Sequence, residues 1–360
     1  MLVTLKIKLL TDSEQHAKLL ETMRVFNEAC NFISQLAFEK KIFNKVKLQQ
    51  ECYYEVREKF RLSSQFVIRA ISKVTESYKT NKKTLHTFNS TGAIIYDQRL
   101  LSYKGLEYAS LLTMDGRIIV SMVFGDYQKG VIDGRRIRGQ ADLVLVDNVF
   151  YLLVVVDLPD GSPNDIKGFL GVDLGIVNIA TTSDGEQMSG KTVRAVRRRN
   201  NKLRQKLQKK GTKSAKRLLK KRRRKEQRFI KDVNHCISKK IVAVAKATDR
   251  GIAMEDLGGI RDRVKTVRKA QRSELSSWGF YQLRQFVQYK AILVGVSVVF
   301  VDPRNTSREC PVCGCIDKKN RPNQSTFKCT ACGFSANADI NAACNIAGRA
   351  AVNLPYAGTA

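Results

Sequence analysis

Residues 167–185 read KGFLGVDLGIVNIATTSDG, and this pattern predicts two β-strands joined by a tight turn. Asp173 interrupts the first of the two apolar runs. An unpaired carboxylate inside an apolar strand is costly, because nothing there replaces the water that it loses. Asp173 is therefore a candidate functional residue. The stretch that contains it begins a longer alternation of predicted strands and helices.

The residues that follow alternate between helical and strand patterns. After a long basic helical stretch, GIAMEDL at residues 251–257 predicts a short buried strand. An amphipathic helix is predicted over residues 274–293, and VSVVFVDP at residues 296–303 predicts a strand that its proline stops. A last helix of small residues follows. Strand, strand, long helix, strand, helix, strand and final helix is an α/β pattern.

Two further acidic residues occupy comparable positions. Glu255 ends an apolar strand, and Asp339 begins the last helix. Taken singly, a strand-end acid can pair with an arginine, and an acid at a helix start can cap that helix. Three carboxylates that adjacent strands and a facing helix bring together could not all stay ionised without cations. Asp173, Glu255 and Asp339 are therefore predicted to bind Mg²⁺ (or Mn²⁺), with two ions serving phosphodiester cleavage.

Four of the nine cysteines form the most specific motif of the chain. They are arranged as Cys310-x-x-Cys313, fifteen intervening residues, and Cys329-x-x-Cys332, which is the spacing of a four-cysteine structural Zn²⁺ site. The sequence between the pairs is polar and too small to fold on an apolar core, so metal coordination would supply its stability. Cys315 lies close enough to be a spare ligand, but the motif does not require it.

The charge of the chain indicates a polyanionic partner. The 360 residues carry a formal net charge of +31, and residues 191–228 hold twenty Lys and Arg against one acid, Glu226. This segment predicts a long basic helix or a helical hairpin. DNA or RNA is the favoured partner, and a membrane is disfavoured because no apolar run approaches the roughly 18 residues that span a bilayer. The candidate nucleic-acid contacts are Arg197, Arg198, Arg199, Lys220, Lys221, Arg222, Arg223 and Arg224.

The N-terminal part predicts a different architecture. Residues 2–10 alternate as a strand does, and Thr11 with Glu14 forms a capping-box signature that opens a helical region, broken near Asn44 and Leu62. From about residue 86 to 158, short alternating runs predict a small antiparallel β-barrel. The turn dipeptides between these runs are Asp115-Gly116, Gly125-Asp126, Asp133-Gly134 and Asp147-Asn148. The first residues lack the pattern of a secretory signal, which predicts an intracellular protein with reduced cysteines.

Several motifs taken in order resemble the TnpB proteins of insertion sequences. They are GVDLG, AMEDLGGI, SSWGFYQLRQFVQYKA, VDPRNTSRECPVCG, CTACGF and ADINAACNIA. The resemblance is dense over roughly residues 166–350, and it implies an RNase H-like (RuvC) nuclease core with an inserted zinc ribbon. Actin-like and sugar-kinase ATPases share a strand like GVDLG, but they lack the four-cysteine ribbon and the basic insertion. The type V CRISPR effectors share the nuclease core.

The resemblance also assigns roles and boundaries. The family's catalytic acids fall on Asp173, Glu255 and Asp339, and its zinc ligands on the four cysteines. Many relatives have an acid two positions before the third catalytic residue, where this chain has Asn337. The implied domains are the first strand of a wedge β-barrel (1–11), a helical recognition lobe (12–85), the wedge barrel with a linker (86–165), the RuvC-like core (166–304), the zinc ribbon (305–335) and the last RuvC motif with its tail (336–360).

The function that the resemblance implies is RNA-guided cleavage of double-stranded DNA next to a short target-adjacent motif. The partners would be a guide RNA and the target DNA, in the cytoplasm of a prokaryote at the nucleoid; the oligomeric state stays open. Two alternatives remain, a nuclease-inactive RNA-guided DNA-binding regulator and a DNA-strand-transfer transposase on the same fold. His235 lies in a predicted helix, where we expect a structural or phosphate-contacting role rather than that of a general base.

Overall fold

The computed structural model describes residues 1–135, 137–163, 166–256 and 279–352, with the backbone alone for Arg138 and Arg223. The chain forms two compact units, Met1–Leu158 and Pro159–Ala360. Features predicted at residues 257–278, including the start of the helix 274–293, and in the tail after residue 352 lie outside the described residues. None of the described helices is both long and apolar enough to cross a membrane.

The first unit is built on one seven-stranded antiparallel sheet. Its strands are β1 (Leu2–Leu10), β2 (Ile94–Tyr96), β3 (Leu101–Lys104), β4 (Tyr108–Thr113), β5 (Gly116–Val123), β6 (Ile137–Val146) and β7 (Val149–Asp157). They pair in the order β2-β6-β7-β1-β5-β4-β3, which places the first strand of the chain in the middle of the sheet. Strand β3 also lies near β6, so the sheet curls toward the predicted barrel.

Alternating side chains explain why these segments form the sheet. In β1, Leu5, Ile7 and Leu9 are buried and the residues between them are exposed. The apolar run of β7 buries every second residue in the same way. One face of each strand therefore supplies the core of the first unit.

Two of the four predicted turns close β-hairpins. Gly116 has a φ of 98° at the start of β5, and Asp147 and Asn148 both have positive φ between β6 and β7. The other two dipeptides flank a helix that we did not predict, α4 (Asp126–Ile132). That segment is helical because Gly125 supplies its N-cap, where the backbone N–H bonds to the side chain of Gln128.

Three further helices lie between β1 and β2. They are α1 (Ser13–Glu39), α2 (Lys45–Phe60) and α3 (Ser64–Thr80). The predicted breaks near Asn44 and Leu62 are confirmed, and the side-chain oxygen of Asn44 caps α2. The predicted capping box is wrong by one residue, because Asp12 and Gln15 exchange the two hydrogen bonds. Asp is preferred over Thr as an N-cap residue. Gln15 lies three residues after Asp12, as Glu14 does after Thr11.

The second unit is an α/β structure. Its strands are β8 (Phe169–Asp173), β9 (Asn178–Thr182), β10 (Gln187–Ser189), β11 (Gly251–Glu255), β12 (Val298–Val301), β13 (Thr326–Lys328) and β14 (Ser335–Asn337). Its helices are α5 (Lys191–Lys210), α6 (Lys213–Ala247), α7 (Phe280–Val294) and α8 (Ala338–Val352). The first five strands form one sheet in the order β10-β9-β8-β11-β12, with β8, β11 and β12 parallel. The predicted alternation of strands and helices is confirmed; β10 is an additional strand.

The basic segment is a helical hairpin rather than one helix. Helices α5 and α6 pack against each other and are joined at Gly211, whose left-handed φ of 66° ends α5. Thr212 then caps α6 by accepting a hydrogen bond from the backbone of Ala215. The turn is thus fixed by one glycine and one hydroxyl.

Helices cover both faces of the five-stranded sheet. On one face, Ile241 of α6 and Leu283 of α7 are buried against β8 and β11. On the other face, Ile346 of α8 packs on Phe169 and Ala253. Because β8 and β11 are covered on both sides, their side chains are almost all apolar and the carboxylates stand at their ends.

Candidate functional site

The three predicted acids lie at one end of the five-stranded sheet. Asp173 is the last residue of β8 and Glu255 the last residue of β11. These parallel strands are neighbours, with Val172 opposite Met254, so both carboxylates leave the sheet at its carboxyl edge. Asp339 lies in the first turn of α8, which packs on β8. Three separate elements therefore bring the three acids near one another.

Asp173 has the most perturbed environment of the three. Burial, followed by the negative charges of Glu255 and Asp339, raises the pKa of Asp173 to about 7. The positive charge of Arg321 and the backbone N–H of Leu174 act in the opposite direction. At neutral pH such a cluster must take up protons or bind cations, and divalent cations would keep its carboxylates ionised.

Glu255 is held by a threonine from a distant loop. The hydroxyl of Thr306 donates to Glu255 Oε1 at 2.6 Å, the short distance of a charge-assisted hydrogen bond. Burial raises the pKa of Glu255, whereas this hydrogen bond and the positive charge of Arg349 lower it. The Glu255 side chain is thus half-buried, and the Thr306 hydroxyl orients it.

Asp339 is oriented by contacts from two other elements. Asn178 of β9 donates to Asp339 Oδ2 at 3.0 Å, and Arg321 Nη2 lies 3.9 Å from Asp339 Oδ1. Asn337 accepts hydrogen bonds from the backbone N–H groups of Asp339 and Ile340, so it is the N-cap of α8. Asn and Asp serve equally well as N-caps, which gives the departure at position 337 a structural reason.

The four cysteines form a compact group that could hold a metal ion. Their Sγ atoms all lie within 4.8 Å of one another. The Sγ–Sγ distances are 3.6 Å for Cys310 and Cys332 and 3.5 Å for Cys313 and Cys329. Tetrahedral Zn–S bonds of about 2.3 Å place sulfur atoms about 3.8 Å apart, whereas a disulfide needs about 2.05 Å. The donor set and its spacing therefore fit Zn²⁺.

Tight backbone turns shape this group, and hydrogen bonding favours the thiolate at Cys329. Gly314 and Gly333, each following a cysteine pair, adopt φ values of 73° and 75°, and their N–H groups bond back to the first cysteine of each pair. The backbone N–H of Cys332 is the main cause that lowers the pKa of Cys329 to about 6. Backbone N–H groups also lower the pKa of Cys313 and Cys332, but hydrogen bonds among the thiols and desolvation together raise both pKa values. A thiolate is the form that binds metal.

Among the described residues, these four thiols are the only group of three or more potential ligands close enough to share one ion. The carboxylates of Asp173, Glu255 and Asp339 interact through their charges but are not gathered around a single point. The two groups therefore differ in kind, a closed four-ligand site and an open acidic cluster. Structural Zn²⁺ sites are closed, whereas catalytic metal sites keep positions free for water and substrate.

Three residues at the acidic cluster were not predicted from the sequence. Thr306 and Arg321 come from irregular segments on either side of Cys310, and Asn178 begins β9. Thr306 lies inside the motif VDPRNTSRECPVCG, and that motif is the signal by which it could have been found. Nothing in the local pattern around Arg321 or Asn178 distinguishes them from ordinary surface residues.

The predicted nucleic-acid contacts are distributed unevenly over the basic hairpin. Arg198, Arg199, Lys220 and Lys221 are exposed. Arg222 is exposed and donates to Asn200 across the hairpin. Arg197 and Arg224 are half-buried and have partners within the protein. The structure does not describe the side chain of Arg223. The prediction of nucleic-acid contacts therefore rests on the exposed side chains of this set.

His235 has a structural environment. Its ring stacks on Phe286 of α7 at a centroid distance of 4.0 Å, and its carbonyl oxygen accepts a hydrogen bond from Lys290. Burial, with the charges of Lys290 and Lys231, lowers the pKa of His235. The contacts fit the predicted structural role and join α6 to α7.

Two family descriptions match parts of the chain that lie mostly in the second unit. Residues 154–257 match the family described as "Probable transposase". Residues 280–346 match the family described as "Cas12f1-like, TNB domain". Between them the two matches include Asp173, Glu255, Asp339 and all four cysteines.

The chain is also similar to individual known proteins. It is 30% identical over 245 residues to a TnpB-like protein of Methanocaldococcus jannaschii, covering 64% of this chain and 85% of that protein. It is 35% identical over 218 residues to the CRISPR-associated endodeoxyribonuclease Cas12f1 of Sulfoacidibacillus thermotolerans, covering 56% of this chain. The match covers 50% of that Cas12f1, so the chain spans about half the length of this relative.

A solved structure shares the fold over most of the chain. The cryo-EM structure of a Cas12f1–sgRNA–target DNA complex contains a chain that superposes with a TM-score of 0.65 at 16% identity. The match covers 91% of this chain and 82% of that chain. The similarity therefore includes residues of both units.

Proposed function

The chain belongs to the TnpB family, and from this membership we propose that it is an RNA-guided, metal-dependent DNA endonuclease associated with a transposable element. Its partners are a guide RNA and a target duplex. It cleaves double-stranded DNA that matches the guide, next to a short target-adjacent motif. The sequence of the target is read by base pairing with the RNA. The protein contacts the sugar–phosphate backbone of the RNA–DNA heteroduplex.

The observation that carries this proposal is the acidic cluster. Asp173, Glu255 and Asp339 lie near one another on β8, β11 and α8, and burial followed by the charges of the other two acids raises the pKa of Asp173. In this proposal the five-stranded sheet and α8 are an RNase H-like (RuvC) core, and the segment with the four cysteines is a zinc ribbon inserted before α8. Three carboxylates at one sheet edge are suited to bind Mg²⁺ (or Mn²⁺).

The chain's own residues have distinct tasks in the cleavage reaction. When bound, two divalent ions would activate the attacking water and stabilise the leaving 3′-oxygen. Asp173, Glu255 and Asp339 would hold these ions, and Asn178 and Thr306 orient two of the carboxylates through hydrogen bonds. The exposed lysines and arginines of the α5–α6 hairpin contact phosphates and supply affinity without sequence preference.

The first unit has the recognition role in this proposal. Residues 1–11 and 86–165 form the wedge, and the helices within residues 12–85 form the recognition lobe. Reading the target-adjacent motif requires side chains that reach base edges in a groove. The seven-stranded sheet and its helices would supply the framework for such contacts.

The test uses the full chain purified with the RNA that it binds at its native locus. Plasmid carrying a sequence matched to that RNA is incubated with Mg²⁺, and both binding and cleavage are measured. Asp173→Ala, Glu255→Ala and Asp339→Ala should each abolish cleavage and retain binding, and since the three share metals, any one loss should approach the triple loss. Asp232→Ala, an exposed acid on α6, is the matched control and should cleave normally.

Each alternative predicts a different product. Binding of matched DNA without cleavage in any divalent metal would favour the RNA-guided regulator. Joining of a cleaved 3′ end to a second DNA would favour the strand-transfer transposase. Purified protein without bound RNA would contradict the RNA-guided mechanism itself.

A further inference from the structure

One face of α8 holds the loop that follows β12. Asn341, Asn345 and Arg349 recur at every fourth position and therefore lie on the same side of the helix. Asn345 Nδ2 donates to the carbonyl oxygens of Thr306 at 2.8 Å and of Glu309 at 2.7 Å, and Asn341 Nδ2 donates to Glu309 at 3.0 Å. Arg349 bonds to two further carbonyl oxygens of this loop and to the Glu309 carboxylate.

This loop delivers a hydroxyl to the acidic cluster. Thr306 is 2% exposed, and its Oγ1 lies 2.6 Å from Glu255 Oε1 and 3.2 Å from the carbonyl oxygen of Pro303. The shorter contact, to the charged acceptor, is the stronger of the two. Glu255 stands at the end of β11, and within the described part of the chain Thr306 is the one residue that donates a hydrogen bond to its carboxylate.

We propose that Thr306 is a positioning residue for Glu255, holding that carboxylate in the orientation that binds the divalent ion. The proposal rests on the metal-dependent nuclease function proposed above and assigns Thr306 its part in it. Helix α8 then places two of the three acids: it carries Asp339 in its own first turn and fixes Glu255 through the loop and Thr306.

The difference in flexibility between Glu255 and Thr306 supports this assignment. A glutamate has several rotatable bonds, and ordering them costs free energy. A hydrogen bond that already orders Glu255 reduces the cost of ordering this side chain when the divalent ion binds. Threonine is β-branched and restricted at χ1, and the backbone of Thr306 is itself bonded to Asn345. Groups that orient metal-binding side chains typically change metal affinity by about 10-fold to 100-fold when they are removed.

The experiment compares Thr306→Val with Thr306→Ser in the full chain. Valine keeps the shape and removes the hydroxyl, whereas serine keeps the hydroxyl. Mn²⁺ alone is titrated calorimetrically into nucleic-acid-free protein, with Asp173→Ala defining binding at the acidic cluster. Thr306→Val should weaken Mn²⁺ binding by about 10-fold to 100-fold, and Thr306→Ser should bind as the wild type does. The Mg²⁺ concentration for half-maximal cleavage should shift in parallel.

The matched control is Thr75→Val in α3. Thr75 is also buried, but its hydroxyl donates to backbone carbonyl groups of its own helix. This variant should leave Mn²⁺ affinity unchanged. If Thr306→Val lowers thermal stability but not Mn²⁺ affinity, or if Thr306→Ser binds as weakly as Thr306→Val, the positioning role is refuted.

Folding and function are separated by two further measurements. Zinc content and thermal unfolding show whether each variant is folded, and Thr306→Ala replaces Thr306→Val if the latter is not. If the wild type binds Mn²⁺ at the cluster but never cleaves matched DNA, the nuclease function fails, and the calorimetric comparison still decides the role of Thr306.

Discussion

Gly171 of β8 lies directly against the backbone of Ala343 of α8. A Cβ atom on residue 171 would fall 1.9 Å from the carbonyl oxygen of Ala343 and 2.8 Å from the amide nitrogen of Ala347. Two residues further along β8 is Asp173, and one turn earlier in α8 is Asp339. The close approach of strand and helix therefore sets the distance between two of the three carboxylates.

Replacing Gly171 by alanine should consequently damage both stability and the acidic cluster. The added methyl group meets backbone that cannot yield, so we expect Gly171→Ala to lose ~1–3 kcal/mol of unfolding free energy, as overpacked cores do. Cleavage should fall further than stability explains, because α8 must move and carries Asp339 with it. Urea unfolding and plasmid cleavage are the measurements. Gly348→Ala, on the exposed side of α8 with open space around it, is the control and should be neutral or stabilising.

How much could be read from the sequence depends on the range of each interaction. Asp173 and Glu255 end short apolar runs, and neighbouring parallel strands place such ends together, so local patterns sufficed for them. The cysteine spacing likewise identified its group without any knowledge of the fold. Periodicity does not identify Thr306, because its partner lies 51 residues earlier and its own loop has no repeating pattern; only the motif that contains it is a signal.

Short elements were missed for a related reason. Strand β10 has three residues, too few for an alternating pattern, and it exists because β9 offers it a free edge. The choice between one basic helix and a hairpin was likewise open. A single glycine, Gly211, decided it through a positive φ that glycine adopts without steric cost.

The four-cysteine group should contain about one zinc ion per chain, the stoichiometry of a single tetrahedral site. Elemental analysis of the folded, chelator-washed protein measures this. Cys329→Ser should lose the ion and lower the melting temperature, because coordination supplies the stability of the small segment around it. Cys315→Ser, a neighbouring thiol outside the group, should keep both. Zinc-free wild-type protein, or an unchanged Cys329→Ser variant, would contradict the assignment.

The exposed side chains of the basic hairpin should contribute affinity rather than specificity. Phosphate contacts release counterions, so the logarithm of the binding constant falls linearly with the logarithm of the salt concentration. Neutralising Lys220 and Lys221 together should reduce this slope by about 1 for each phosphate that is no longer neutralised. The same substitutions at Lys45 and Lys47, exposed on α2, provide a charge-matched control with a smaller effect. Equal slopes for the hairpin variant and the wild type would mean that the hairpin merely faces solvent.

Without divalent metal, the acidic cluster should destabilise the protein as the pH rises. The pKa of Asp173 is about 7 in the folded chain against 3.8 as the ordinary value, so the folded state binds more protons between these two values. Stability contributed by the protonated carboxyl is therefore present at low pH and is lost as the pH rises to about 7. Across that pH interval the Asp173→Asn variant should have a higher melting temperature than the wild type. With Mg²⁺ added, the wild type should have the higher melting temperature. A difference in melting temperature between variant and wild type that stays the same at every pH would contradict the link between Asp173 protonation and stability.

Arg321 should set the pH at which the cluster becomes competent. Its guanidinium lies near Asp339 and lowers the pKa of Asp173, so Arg321→Gln should raise that pKa. In the proposed mechanism the carboxylates bind metal in their ionised form, so the cleavage rate should rise with pH through a midpoint that Arg321→Gln moves upward. The measurement is the rate of plasmid cleavage against pH at fixed Mg²⁺. Arg308→Gln, an exposed arginine of the segment before Cys310, should retain the wild-type profile. A lower rate with an unshifted midpoint would assign Arg321 to the DNA rather than to the acids, because an arginine that binds a phosphate in the transition state raises the rate equally at every pH.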